Sequence, residues 1–105
     1  MIRYRVMVSP AAKELILEQV VYISKDSLRY ALQWEERLLA AIDRIGDIPR
    51  GYAVDTAASK RAGQELRKMV FERTYLVFYC VNTDAQTIEV VHFRHGARLP
   101  QLREP

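Results

Sequence analysis

A single cysteine, Cys80, occurs in the 105 residues, which excludes an internal disulfide and, without a second thiol, a cysteine-based zinc cluster or dithiol redox pair. Set in a run of strand-forming residues, it reads as a small buried hydrophobe. Long apolar runs are lacking too, and charge interrupts the first residues at once in Met1-Ile2-Arg3-Tyr4-Arg5. Neither a signal peptide nor a membrane span is expected, and the location expected is cytoplasmic. Glycine and proline number four each, too few for a collagen-like or low-complexity chain. There is no Gly-rich phosphate loop, no usable Ser-His-Asp spacing and no carboxylate pair for acid-base work, and no cofactor is expected. Metal binding has little support either, because His92 and His95 stand three apart in a strand and so point to opposite faces.

What is present suits one globular domain spanning residues 1–105: half the residues are apolar and 28% are charged. The net charge of +3 is unevenly placed. Residues 1–59 balance eight basic against eight acidic side chains, whereas residues 60–105 carry eight against five. A basic C-terminal part suits an acidic partner, although many ordinary domains carry as much charge.

The order of elements follows from periodicity and punctuation. Residues 2–8 alternate as a half-buried strand. Ser9-Pro10 then opens a helix, since the hydroxyl caps an orphan amide and proline has none to leave unpaired. Ala12, Leu15, Ile16, Val20 and Ile23 mark its apolar face, and it should stop near Ser24. Ser27 caps a second helix with the stripe Ala31, Trp34, Leu38, Ile42 and Ile45, ended by Gly46 and Pro49. On this reading Trp34 is core. Residues 51–63 show no clean period and read as a loop. Three strands follow at 65–71, 75–82 and 87–95, joined by connections of hairpin length. The middle one is apolar on both faces and should be central. The layout β-α-α-β-β-β predicts an α+β two-layer sandwich, a small antiparallel sheet packed against a helical hairpin, with a tail from Leu99 that forms no further helix.

The polar residues that stand out are His92, Arg94, His95 and Arg98 at the end of the last strand, with Arg67 and Lys68 on a neighbouring one. Arginine forks hold phosphate or carboxylate, and histidine passes protons near neutral pH, so Arg67, Arg94, His95 and Arg98 are the candidate catalytic set. With Lys68 they are also the candidate binding surface. The plainer alternative is a solvated basic sheet edge that discourages aggregation.

Leu66-Arg67, Tyr75-Leu76-Val77-Phe78-Tyr79 and His95-Gly96-Ala97-Arg98, with Ser9-Pro10-Ala11-Ala12 at the first helix and Tyr22-Ile23 before Asp26-Ser27, resemble the RelE/ParE superfamily of toxins from bacterial type II toxin–antitoxin modules. The likeness runs from residue 4 to about 102. It implies a plasmid-stabilisation type toxin that inhibits growth until a cognate antitoxin wraps around it in a hetero-oligomer. RelE-like members are ribosome-dependent mRNA endoribonucleases needing an arginine beside the strand tyrosine and a late acid, whereas ParE-like members poison DNA gyrase. Here Leu76 follows Tyr75, and no aromatic follows Phe93. Cleavage through a 2′-hydroxyl needs a base, an acid and a cation at one point, and Glu65 and Lys68 suggest a base only by proximity in sequence. The expectation is a ParE-like toxin that binds gyrase and is not an enzyme. The alternatives are a ribonuclease acting on the ribosome and messenger RNA, and a non-toxic protein-binding module of the same fold.

Overall fold

The computed structural model describes residues 2–96. Strand β1 spans Arg5–Val8, helix α1 Pro10–Ser24 and helix α2 Leu28–Arg44, followed by a single 3₁₀ turn at Ile45–Asp47. Helix α3 then spans Thr56–Ala62, and strands β2, β3 and β4 span Arg67–Phe71, Tyr75–Asn82 and Thr87–His95. Both helix starts follow their capping chemistry. Ser9 accepts from the Ala12 amide at 3.1 Å with Pro10 in the first turn, and Ser27 accepts from the Tyr30 amide at 3.1 Å.

The sheet order is β1-β4-β3-β2, so β3 and β4 are both interior. The α+β architecture is the one expected, but the sheet is mixed: β1 runs parallel to β4, while β2, β3 and β4 pair antiparallel. Two short turns force β2, β3 and β4 into a meander, which leaves the outer edge of β4 to β1. The two-helix connection after β1 is long enough for a parallel crossover.

On one face of the sheet α1 and α2 bury Trp34, Leu38, Ile42, Val77, Tyr79, Ile88, Val90 and Phe93 in the main core. Trp34, 1% exposed, meets Phe71, Tyr75 and Phe93 edge-on, at ring centroids 5.0–6.1 Å away. The other face is covered in part by α3, where Ala58, Leu66 and Phe78 form a smaller cluster backed by Leu76, Cys80 and Val91. Residues 51–63 are therefore not one loop. Asp55 caps α3 by accepting from the Ala58 amide at 2.8 Å, and Gly63 ends it with φ of 71°, a left-handed conformation that glycine adopts without strain.

One irregularity decides where the charged residues go. Phe78 pairs with His92 but Tyr79 with Val90, so Val91 is an extra residue in β4. This bulge reverses the alternation. Before it Ile88 and Val90 enter the core; after it Phe93 does, and His92 and Arg94 turn to the outer face.

Candidate functional site

The described residues among those singled out in the sequence occupy three places. His95 lies on the helix side, where its ring meets Tyr75 edge-on at 5.3 Å. Tyr75 is in turn fixed by stacking on Phe93 at 5.8 Å and by a 3.3 Å hydrogen bond that its hydroxyl accepts from Gln19 Nε2. Leu15, Glu18, Gln19 and Tyr22 of α1, with Lys25 just after it, face His95 across a groove of about 420 Å³.

Arg94 extends to the opposite face, its guanidinium carbon 5.7 Å from the centre of the Phe78 ring, and also borders the helix-side groove. His92 leans on the same ring at 5.7 Å. Together with Arg61 from the last turn of α3 they line an outer groove of about 360 Å³ walled by Ala58, Leu66 and Val91. Burial holds the His92 imidazole below its ordinary pKa of 6.5, and the neighbouring charges of Arg94 and Arg61 add to the effect. Both effects favour the neutral form of His92. Arg61 was not visible as a site residue in the sequence, because nothing there placed a helix beside β4. The signal available was Asp55 at the start and Gly63 at the end of a seven-residue helix.

Arg67 and Lys68 line neither groove, and β3 lies between their strand and β4, although Lys68 stands opposite Phe78 of the outer groove. Arg67 stands opposite Tyr79, four residues along β3 from the Tyr75–His95 pair, or about 13 Å. Its guanidinium donates to the Tyr52 carbonyl at 2.6 Å, and its buried Nε has no acceptor among the described residues. That is a strut holding the chain between α2 and α3 against the sheet. Lys68 pairs with Asp55 at 3.3 Å, on the cap of α3. Glu65 is exposed ahead of β2, and Arg98 lies outside the described residues, as does the tail from Leu99. The five described candidates, His92, Arg94, His95, Arg67 and Lys68, thus do not form one constellation, because β2 meets β3 and not β4 and because the bulge sends neighbours in sequence to opposite faces.

The chemistry open to each place differs. Arg61 and Arg94 bring two guanidinium forks to one groove whose lining among the described residues is otherwise uncharged apart from His92, an arrangement suited to holding an anion. Cys80 is half-buried, and desolvation followed by the adjacent Glu89 charge pushes its thiol pKa up, which keeps it protonated and unreactive. His92 and His95 do lie on opposite faces, and among the described residues no three His, Cys, Asp or Glu side chains are grouped to hold a metal ion. Nor is any described helix long and apolar enough to cross a membrane.

Among curated proteins none matches the chain. A family model described as "ParE toxin of type II toxin-antitoxin system, parDE" matches residues 6–100, from β1 through the end of β4. With that match over a β-α-α-α-β-β-β sandwich, the chain belongs to the ParE toxin family of type II toxin–antitoxin systems.

Proposed function

We propose that this ParE-family chain inhibits growth by binding DNA gyrase, without cleaving RNA, and that a cognate antitoxin neutralises it by covering its surface. The observation that carries the reading is the separation of Arg67 from His95 and Arg94. His95 faces α1, Arg94 faces Phe78, and Arg67 is bonded to Tyr52 about 13 Å along the sheet. A phosphorane needs an acid, a base and a cation converging within hydrogen-bond reach of one phosphate, and although His95 and Arg94 border one groove, Arg67 is held away from it by its bond to Tyr52. Leu76 beside Tyr75 fits the same reading.

An antitoxin is supported by the surface. Leu17, Val21 and Tyr22 of α1 and Leu28 and Leu32 of α2 are all more than half exposed. The charge excess of residues 60–105 is basic. A disordered acidic segment gains affinity by covering such apolar area, and charge speeds its arrival.

The test is to add the purified chain to gyrase in a supercoiling and cleavage assay, and to follow DNA damage signalling after induction in a bacterium. Loss of supercoiling with trapped DNA breaks is expected. Normal supercoiling together with codon-phased messenger cuts would replace this reading with the ribonuclease one.

A further inference from the structure

The outer face of the sheet carries guanidinium groups at one end and mostly carboxylates at the other, where the exposed Arg5 of β1 stands opposite Thr87. Toward the end of β4 lie Arg61, His92 and Arg94 around the buried Phe78. Toward its start a second groove is lined by Glu65, Asp84 and Glu89 with Cys80, Asn82 and Met7. Gln64 borders both grooves, so they form one surface. Between the ends the lining is apolar: Ala58, Ala62, Leu66 and Val91. Lys68, on the same strand as Leu66's successor Arg67, is neutralised by Asp55 and does not blur the division.

We infer that this face receives an extended peptide segment of the antitoxin, apolar in the middle, with a carboxylate held by Arg61 and Arg94 and a cation held by Glu65 and Glu89. The inference rests on the antitoxin reading above and adds a surface on the side of the sheet away from α1 and α2. The spacing specifies the segment. Arg94 follows Glu89 by five residues, one of which is the bulged Val91, so the charged ends are about four strand residues, or about 13 Å, apart. An extended segment places side chains i, i+2 and i+4 on one face across that same length. The pattern that fits is therefore an acidic residue, an apolar one two positions on, and a basic one four positions on, or its reverse.

Two observations favour a peptide over a single-stranded nucleic acid. Phe78 is 2% exposed, so its ring is not open for a base to stack on, and the only other ring in the lining among the described residues is the partly buried His92. A phosphate backbone following the groove past Arg94 would run into Glu89, Glu65 and Asp84.

The experiment titrates the full-length chain with the purified product of the reading frame beside its gene, following binding by calorimetry and the amide resonances of the labelled toxin. Expected are shifts at Gln64, Leu66, Val91 and His92, and affinity lowered about tenfold or more by Arg61→Glu and by Glu89→Lys. Both positions are exposed, and the titration of the unsubstituted chain stands whether or not a variant folds. Tight binding that leaves those four resonances and both variants unaffected overturns the inference and leaves the antitoxin reading intact. No binding by the unsubstituted chain overturns both. Shifts at the same four residues with an oligouridylate but not with the antitoxin would assign the face to nucleic acid and overturn the inference as well.

Discussion

Gln19 Nε2 donates to the Tyr75 hydroxyl at 3.3 Å, joining α1 to β3 across the main core. Among the described residues Gln19 is the one buried polar side chain, and this is its side-chain hydrogen bond there. Removing one partner should cost more than removing both, because a lone buried amide keeps its desolvation penalty. Tyr75→Phe is expected to destabilise the fold by about 1–3 kcal/mol, at the lower end given the long bond. Pairing it with Gln19→Leu should recover most of that loss. Urea melts of the two single variants and the double variant, read as a double-mutant cycle, check this; additive losses would show that the two residues do not depend on each other.

Trp34 carries the aromatic cluster that supports the same tyrosine. Its ring is fully enclosed by Phe71, Tyr75 and Phe93, yet its indole N–H has no acceptor among the described residues. Trp34→Ala should cost about 3–5 kcal/mol. Trp34→Phe should cost markedly less, since it keeps the ring contacts and removes the unpaired donor. A Trp34→Ala protein with an unchanged melting temperature but lost toxicity would instead make the indole a contact residue.

Much of this was legible because local chemistry and periodicity agreed. Ser9-Pro10, Ser27 and the stripe through Ala31, Trp34, Leu38 and Ile42 each point to one structure, and the two interior hairpins follow from short connections. What failed to show was set by tertiary relations. Helix α3 buries only Ala58 on its own face, so seven residues carry no readable stripe. The first strand's parallel pairing depends on which sheet edge remains after the meander closes. The bulge at Val91 is silent in the sequence, since Val90, Val91, His92 and Phe93 suit either alternation. Misjudging that parity and the order of the strands is what made Arg67, Arg94 and His95 look like one cluster.

Asp55 holds α3 in place twice over, accepting from the Ala58 amide at 2.8 Å and pairing with Lys68 at 3.3 Å. Chiefly the amide bond, with help from Lys68, holds its carboxyl below the ordinary 3.8. A carboxylate lowered on folding stabilises the protein above its unfolded pKa, and that contribution disappears as pH falls through the folded one. The Asp55 contribution is thus intact at neutral pH and lost below about pH 4. Asp55→Ala should cost about 0.5–2 kcal/mol at pH 7, the range for a lost N-cap. Unfolding curves at pH 7 and at pH 3 check both points: a difference between Asp55→Ala and the unsubstituted chain that persists undiminished at pH 3 would rule out this account.

His95 and Arg94 distinguish a binding surface from a reaction centre, because the His95 ring lies against Tyr75 on the helix side while the Arg94 guanidinium reaches over Phe78 on the outer face, although both border the helix-side groove. If the protein acts by association, His95→Ala removes an edge-on contact with Tyr75, a loss of about 0.5–1.5 kcal/mol in stability, and leaves toxicity in place. Arg94→Ala should weaken association, and raising the salt concentration should narrow the gap between it and the unsubstituted chain, since screening diminishes what the charge contributed. If His95 were a proton donor in RNA cleavage, its loss would lower the rate by about 10²–10⁴ with association preserved. Primer extension on messenger RNA after brief induction, alongside colony counts for both variants, separates the cases. Toxicity that survives His95→Ala with no cut sites in either strain is the expected result; codon-phased cuts made by the unsubstituted chain and absent from His95→Ala would mean that the helix-side groove is catalytic.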